Sequence, residues 1–319
     1  MKKILITGAL GQIGTELAVK MSEEYGEDNI IISDIIKKED AEIINRFTFE
    51  ILDVLDIKKL AEIVDKHKIN YIIHLVSLLS ATGEKFPQKL WEINMGGLYN
   101  VLEVAREKNL GVFVPSSIAA FGSSTPMNKT PQDTIQRPNT IYGISKVSGE
   151  LLCDYYFNKF GVDTRGLRFP GLISHTALPG GGTTDYAVDI YYKAIQNQKF
   201  ICPLKEDTYL DMMYMSDALD SIFKLIEADP FKLIHRNAFN VSSMSISPSD
   251  IANSIKKFIP EFEISYDVNP VLQAIANSWP NSMDVISAKI EWGFSPKVDL
   301  ESMTKIMLDN LQFQQNIEE

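Results

Sequence analysis

The residues best suited to chemistry stand at Tyr142 and Lys146, in "YGISK". Four apart on a helix, they share one face. An ammonium beside a phenol favours the phenolate, and so turns a group of ordinary pKa ~10 toward a base. Lowering that value to ~7 takes about 4 kcal/mol, which one positive charge at ~4 Å supplies at an effective dielectric of ~20. Tyr155 and Lys159 repeat the pattern 13 residues later. That spacing turns a helix by roughly 220°, so at most one pair faces a cofactor. Three features select the first pair. It sits near the start of its helix, just after the loop "QRPNT"; it follows the fifth strand; and Ser116 and Ser117, in "PSSIAAFG", end that strand. A phenolate that takes an alcohol proton, beside a hydroxyl that holds the alcohol oxygen, is equipment for hydride transfer to a nicotinamide.

A place for that nicotinamide is written near the N-terminus. In "TGALGQIG", Gly8, Gly11 and Gly14 fall at three-residue steps between a short apolar run and a helical one. Glycines there let backbone N–H groups and a helix N-terminus approach a pyrophosphate. Asp34 follows Gly14 by 20 residues, at the end of the second strand. A carboxylate at that point accepts hydrogen bonds from the adenosine ribose and repels a 2′-phosphate. Ile35 and Ile36 offer no arginine to receive such a phosphate, and Lys37 and Lys38 fall in the loop beyond. The expected cofactor is therefore NAD.

The surrounding elements alternate. Strands are expected at 3–7, 30–33, 47–52, 71–76, 112–117 and 162–169, and helices at 15–26, 56–67 (with Asp56 as N-cap), 86–109 and 140–160. Such alternation implies right-handed βαβ units and an α/β fold with a doubly wound, parallel Rossmann sheet. Residues 1–170 form the expected cofactor-binding domain. Residues 171–319 form a smaller substrate-binding lobe, except that 216–242 return to the first domain as a helix at 216–228 and a further strand of the main sheet at 238–242. Helices at 248–259, 284–291 and 299–313 complete the lobe.

Composition narrows the partners. The net charge of -11 repels nucleic acid and anionic lipid. No apolar run reaches the ~18 residues of a membrane span. Two cysteines, Cys153 and Cys202, exclude a disulfide framework and fit a reducing cytoplasm. The four histidines never pair at metal-ligand spacing, so no metal is expected.

The glycine triplet, Asp34, Ser117, Tyr142 and Lys146 resemble the extended short-chain dehydrogenase/reductase family. In that family the hydroxyl residue 25 positions before the tyrosine binds the reacting oxygen, which here selects Ser117 over Ser116. The resemblance further implies that Asn94 links the active site to solvent and that Asp53 and Val54 contact the adenine. It adds Gln12, Ile13, Leu75 and Ser77 to the cofactor-binding residues and gives Lys146 the nicotinamide ribose.

Within that family, "LLSATGEKFP" (78–87), "PGGGTTDYAV" (179–188), "CPLKEDTYLDMMYMSDA" (202–218) and "NSWPNSMD" (277–284) resemble the short-chain L-threonine 3-dehydrogenases. Two departures stand out: Asp211 where the pattern has Pro, and Val285 where it has Asp. The implied substrate is L-threonine, oxidised at its 3-hydroxyl. Gly182, Thr183 and Thr184, with Ser80 and Trp279, are then expected to hold it. No lysine follows the glycines as in a phosphate loop, and Arg236 is the one arginine after residue 170, which disfavours a diphosphate. A homodimer through helices 86–109 and 140–160 is also implied. A nucleotide-sugar epimerase or dehydratase would retain Ser117, Tyr142 and Lys146. A non-catalytic NAD-binding protein would not need them.

Overall fold

The computed structural model describes residues 2–38, 41–176, 180–196 and 199–318. Pro179, which opens the glycine stretch, lies outside the described residues. Six parallel strands form the central sheet, in the order Thr48–Ile51, Ile30–Asp34, Ile4–Thr7, Tyr71–His74, Gly111–Phe113, Thr164–Arg165. The strand order reverses between Ile4–Thr7 and Tyr71–His74, so their C-terminal ends open a crevice there. Ile4–Thr7 is wholly buried because both faces of the sheet are covered. Met21, Met213 and Ile222 pack on one face. Leu60, Val101 and Cys153 pack on the other. Burial on both sides explains why these strands read as continuous apolar runs rather than alternating ones.

The helix expected at 56–67 spans Ile57–His67, with the Asp56 carboxylate accepting the Lys59 N–H at 3.0 Å. The helix expected at 86–109 is not one α-helix. Pro87–Trp91 and Gly97–Lys108 are joined by a π-helical turn, Glu92–Gly96, that carries Asn94. Such wide turns re-aim a side chain within a helix.

The strand expected at 162–169 is divided at Gly166, yet its register is unbroken. Val112 faces Thr164, and Ser116 faces Arg168. Phe239–Asn240 pairs in parallel with Leu167–Arg168 at the edge of a separate three-stranded sheet with Ser116–Ser117, so the segment expected at 238–242 is a strand but not one of the six-stranded sheet. Met215–Glu227 packs its buried face in the same cluster as Ile4 and Ile6.

The remaining chain builds a separate apolar cluster around Tyr191, Phe200, Trp279 and Met307. Its helices include Tyr186–Ile195, Pro248–Lys256 and Leu300–Glu318, whereas Ile286–Trp292, expected in the lobe, packs through Ala288 in the cluster of Ile4 and Ile6. A three-stranded sheet, Met244–Ile246, Leu210–Tyr214, Gly171–Ile173, adjoins it.

Candidate active site

Three adjoining spaces run along the C-terminal ends of the strands. The first, about 440 Å³, is lined by Gly8, Gly11, Asp34, Asp53, Val54 and Leu75, among others. The second, about 570 Å³, is lined by Gly11, Gln12, Ile13, Gly14, Leu75 and Ser77 and reaches Gly180. The third, about 160 Å³, is lined by Ser80, Ser117, Tyr142, Lys146, Thr184 and Trp279, with Gln12, Ile13, Leu75, Ser77, Gly182 and Thr183 also on its wall. Asn94 lies in none of the three.

The first two spaces fit a dinucleotide. The helix Gln12–Tyr25 starts at Gly11 with no side-chain cap, so its first N–H groups stay available to an anion. Gly14 allows that helix to lie against the preceding turn. A Cβ there would stand 2.6 Å from Ala9 Cα. Asp34 ends its strand with one carboxylate oxygen accepting Leu10 N–H at 3.1 Å and the other accepting Ile35 N–H at 2.8 Å. This fixes the carboxylate beside Asp53 and Val54, where a ribose would sit. Gln12 Nε2 is buried with no partner in the protein.

In the third space, Tyr142 and Lys146 rise from the first turns of the helix Ile141–Phe160, which Thr140 caps through Gly143 N–H. Tyr155, the alternative, is half exposed and makes edge contacts with Tyr156 and Phe160. The Lys146 ammonium donates to Pro115 O at 2.9 Å and lies 5.4 Å from the Tyr142 ring centroid.

Burial works against the expected lowering of the Tyr142 pKa. Burial pushes the Tyr142 phenol up to about 12, with the Ser117 hydroxyl opposing the rise. Burial also brings Lys146 down to about 8. Lys146 lies by the ring and bonds to a carbonyl, so the protein alone does not hold Tyr142 as a phenolate. When bound, an oxidised nicotinamide supplies both the hydride acceptor and a positive charge beside this phenol.

Asn94 acts on backbone. Its Oδ1 accepts Leu78 N–H at 2.8 Å, and its Nδ2 donates to Leu78 O at 3.1 Å. It therefore shapes the segment leading to Ser80 rather than facing the reacting atoms.

The glycine loop closes on a carboxylate that sequence reasoning passed over. Asp185 accepts Gly181 N–H at 3.0 Å and Gly182 N–H at 2.9 Å. Gly181 has φ +94°, a conformation that excludes most side chains. Thr183 is buried, with its hydroxyl 3.3 Å from that of Ser80. Thr184 gives its carbonyl to Ala187 N–H, while no side chain caps the helix Tyr186–Ile195. The loop thus offers hydroxyls and a carboxylate to the cavity. Trp279 is buried on its wall, and its Nε1–H has no partner among the described residues.

No arginine lines this cavity. Arg236 is instead committed to Asp163 and to Pro230 O, with its guanidinium over the Phe157 ring. The two departures from pattern are structural. Asp211 accepts Met283 N–H at 2.6 Å, and Val285 packs against the apolar core while Asp284 accepts Ile286 N–H.

An uncharacterized epimerase/dehydratase of Staphylococcus saprophyticus is 56% identical over 318 residues, covering 100% of this chain and 99% of its own. The solved L-threonine dehydrogenase of Clostridium difficile is 60% identical, covers 98% of both chains and superposes with a TM-score of 0.97. The L-threonine 3-dehydrogenase of Trypanosoma brucei is 38% identical, covers 99% of this chain and 98% of its own, and has a TM-score of 0.96. The model of the NAD dependent epimerase/dehydratase family matches residues 4–241, and the chain, with its dinucleotide cradle and its Tyr142–Lys146 pair, belongs to that family of nicotinamide-dinucleotide oxidoreductases.

Proposed function

We propose that the protein oxidises the 3-hydroxyl of L-threonine to 2-amino-3-oxobutanoate, with NAD as cofactor. The observation that carries this reading is the third cavity. Its volume of about 160 Å³, without an arginine, suits a small zwitterion and offers a diphosphate no bidentate partner. Ser117 holds the alcohol oxygen, and Tyr142 takes its proton. Ser80, Thr183, Thr184 and backbone N–H groups of the loop serve the carboxylate, and Trp279 Nε1–H is one more donor. NAD is preferred to NADP because Asp34 opposes a 2′-phosphate.

Residues 1–170 serve as the cofactor unit and most of 171–319 as the substrate lobe. No helix among the described residues is long and apolar enough to cross a membrane. A cytoplasmic homodimer is part of the same reading. It is supported by Trp91, Tyr99, Leu151 and Tyr155, which leave apolar surface exposed on the helical segments 86–109 and 140–160.

A substrate panel tests the assignment. L-Serine lacks one methyl group and should lose ~10–200-fold in kcat/KM. L-allo-Threonine, inverted at C3, and D-threonine, inverted at both centres, should lose more, because inversion separates the hydride, proton and carboxylate contacts. Equal turnover of all four would refute the placement of the carboxylate.

A further inference from the structure

Ser117 and Tyr142 are joined by a long connection, and part of it lies against the segment that walls the substrate cavity. Residues 127–130 of the connection run beside residues 281–284, just beyond Trp279. Backbone bonds join the two segments. Asn281 N–H donates to Met127 O at 2.7 Å, Thr130 N–H to Ser282 O at 2.9 Å, and Asp284 N–H to Thr130 O at 2.9 Å. Thr130 and Met283 pair in parallel, as in a sheet. Two side chains add to this seam. Asn281 Nδ2 donates to Asn128 Oδ1 at 3.0 Å, and Ser282 Oγ accepts Lys129 N–H at 2.8 Å. Lys129 has φ +49°, a left-handed conformation that a side chain rarely adopts unless its surroundings hold it.

The connection is fixed to the catalytic helix and to the strands beneath it. Gln132 Oε1 accepts Asn240 N–H at 2.9 Å, its Nε2 donates to Ala238 O at 2.9 Å, and its carbonyl accepts from Arg168 Nη1 at 2.8 Å. Arg168 is paired at 2.9 Å with Glu150 of the helix Ile141–Phe160, and the Glu150 carboxylate also accepts Gln136 Nε2 at 2.8 Å. Trp279 is fixed from the other direction. Its N–H donates at 3.1 Å to the carbonyl of Ala276, which ends the helix Pro270–Ala276 and packs in the cluster of Tyr191 and Met307. Pro280 locks one dihedral between Trp279 and Asn281, so a shift at Asn281 is passed to the indole.

We propose that Ser282 is a positioning residue for substrate binding. Through Lys129 it registers Trp279 against Tyr142, and so sets where the indole N–H meets a carboxylate in the cavity of about 160 Å³. The assignment rests on the dehydrogenase reading above. The Trp279 Nε1–H has no partner among the described residues, which leaves it for a ligand. A donor already fixed by its backbone on both sides loses little freedom when it binds. Ser282 itself lines none of the three spaces of the site, so it acts on binding and leaves the chemical step alone.

The test is steady-state kinetics with L-threonine and NAD, together with calorimetric titration of NAD. Ser282→Ala should raise KM for threonine ~3–10-fold, the scale of one lost hydrogen bond, with kcat and the Kd of NAD within about 2-fold of the parent. Ser282→Thr retains the hydroxyl and should keep the parent KM. Lys129→Pro removes the donor from the opposite segment and forbids the left-handed φ. It should raise KM likewise, and it decides the matter if Ser282→Ala fails to fold. Trp279→Phe keeps a ring without the N–H; in that background Ser282→Ala should change KM by less than ~2-fold, because the two residues act as a unit. An unchanged KM in Ser282→Ala and Lys129→Pro, a fall in kcat alone, or additive effects of Ser282→Ala and Trp279→Phe would overturn the assignment while the parent still oxidises threonine. No NADH from the parent with any 3-hydroxy amino acid would refute the dehydrogenase reading itself, and the assignment with it.

Discussion

Replacing Asp211 with Asn should stabilise the protein, and only above a definable pH. Asp211 sits on the strand Leu210–Tyr214, beside Gly171–Ile173 of the cavity wall, and accepts the N–H of Met283 four residues after Trp279. Burial pushes its carboxyl up to about 7, against an ordinary ~3.9. The folded state therefore binds the proton more tightly than the unfolded chain. Stability from this group is fully present below pH ~4, falls as pH rises toward 7, and is lost above it. Three units at 1.36 kcal/mol set a ceiling of about 4 kcal/mol. Asn matches the protonated carboxyl in shape, keeps an oxygen for Met283 N–H and never ionises. Asp211→Asn should equal the parent near pH 4 and exceed it by up to ~4 kcal/mol near pH 8. For 319 residues, an unfolding entropy of ~2.1 cal/mol/K per residue turns that into a Tm rise of ~6 °C. Urea and thermal unfolding across this pH range read the difference. An offset independent of pH, or a variant less stable at pH 8, would refute the reasoning.

Tyr142→Phe should cost ~10²–10⁴ in kcat, while Tyr155→Phe, on the half-exposed side of the helix, should leave turnover nearly intact. If the effects are reversed, the wrong pair faces the cofactor. Gly14→Ala should weaken dinucleotide binding and lower Tm together, because its Cβ would stand 2.7 Å from Ala9 O as well as crowding Ala9 Cα; calorimetric titration with NAD shows whether both move. The ratio of kcat/KM for NAD over NADP should fall in Asp34→Ala, and an unchanged ratio would remove Asp34 from cofactor selection. Thr184→Ala should raise KM for threonine more than it lowers kcat if the hydroxyl binds ground and transition states alike.

Much of the sheet and the catalytic pair was legible because it depends on local signals. Ile4–Thr7 and Ile30–Asp34 are short β-branched runs, the glycine triplet marks a turn that side chains would obstruct, and Tyr142 and Lys146 need only helical spacing. The same spacing extended once more would have reached Glu150; it was passed over because a carboxylate on a helix usually faces solvent, and its partner Arg168 lies on another element. The π-helical turn at Glu92–Gly96 leaves no mark in periodicity, since the bonds that accompany it come from Leu78. The strands Phe200–Cys202 and Met244–Ile246 were missed because three residues are too few to show alternation. Helical spacing shows the charge beside Tyr142 but not the burial around it, which raises its pKa in the protein without cofactor.

The central claim is that this cavity oxidises L-threonine. Its most direct test is NADH formation by the purified protein with NAD and L-threonine against a no-substrate blank, with conversion of UDP-glucose followed in parallel by chromatography, because epimerisation and dehydration leave no net NADH. The account predicts NADH with threonine and no conversion of the nucleotide sugar. Turnover of the nucleotide sugar with no NADH from threonine would contradict it.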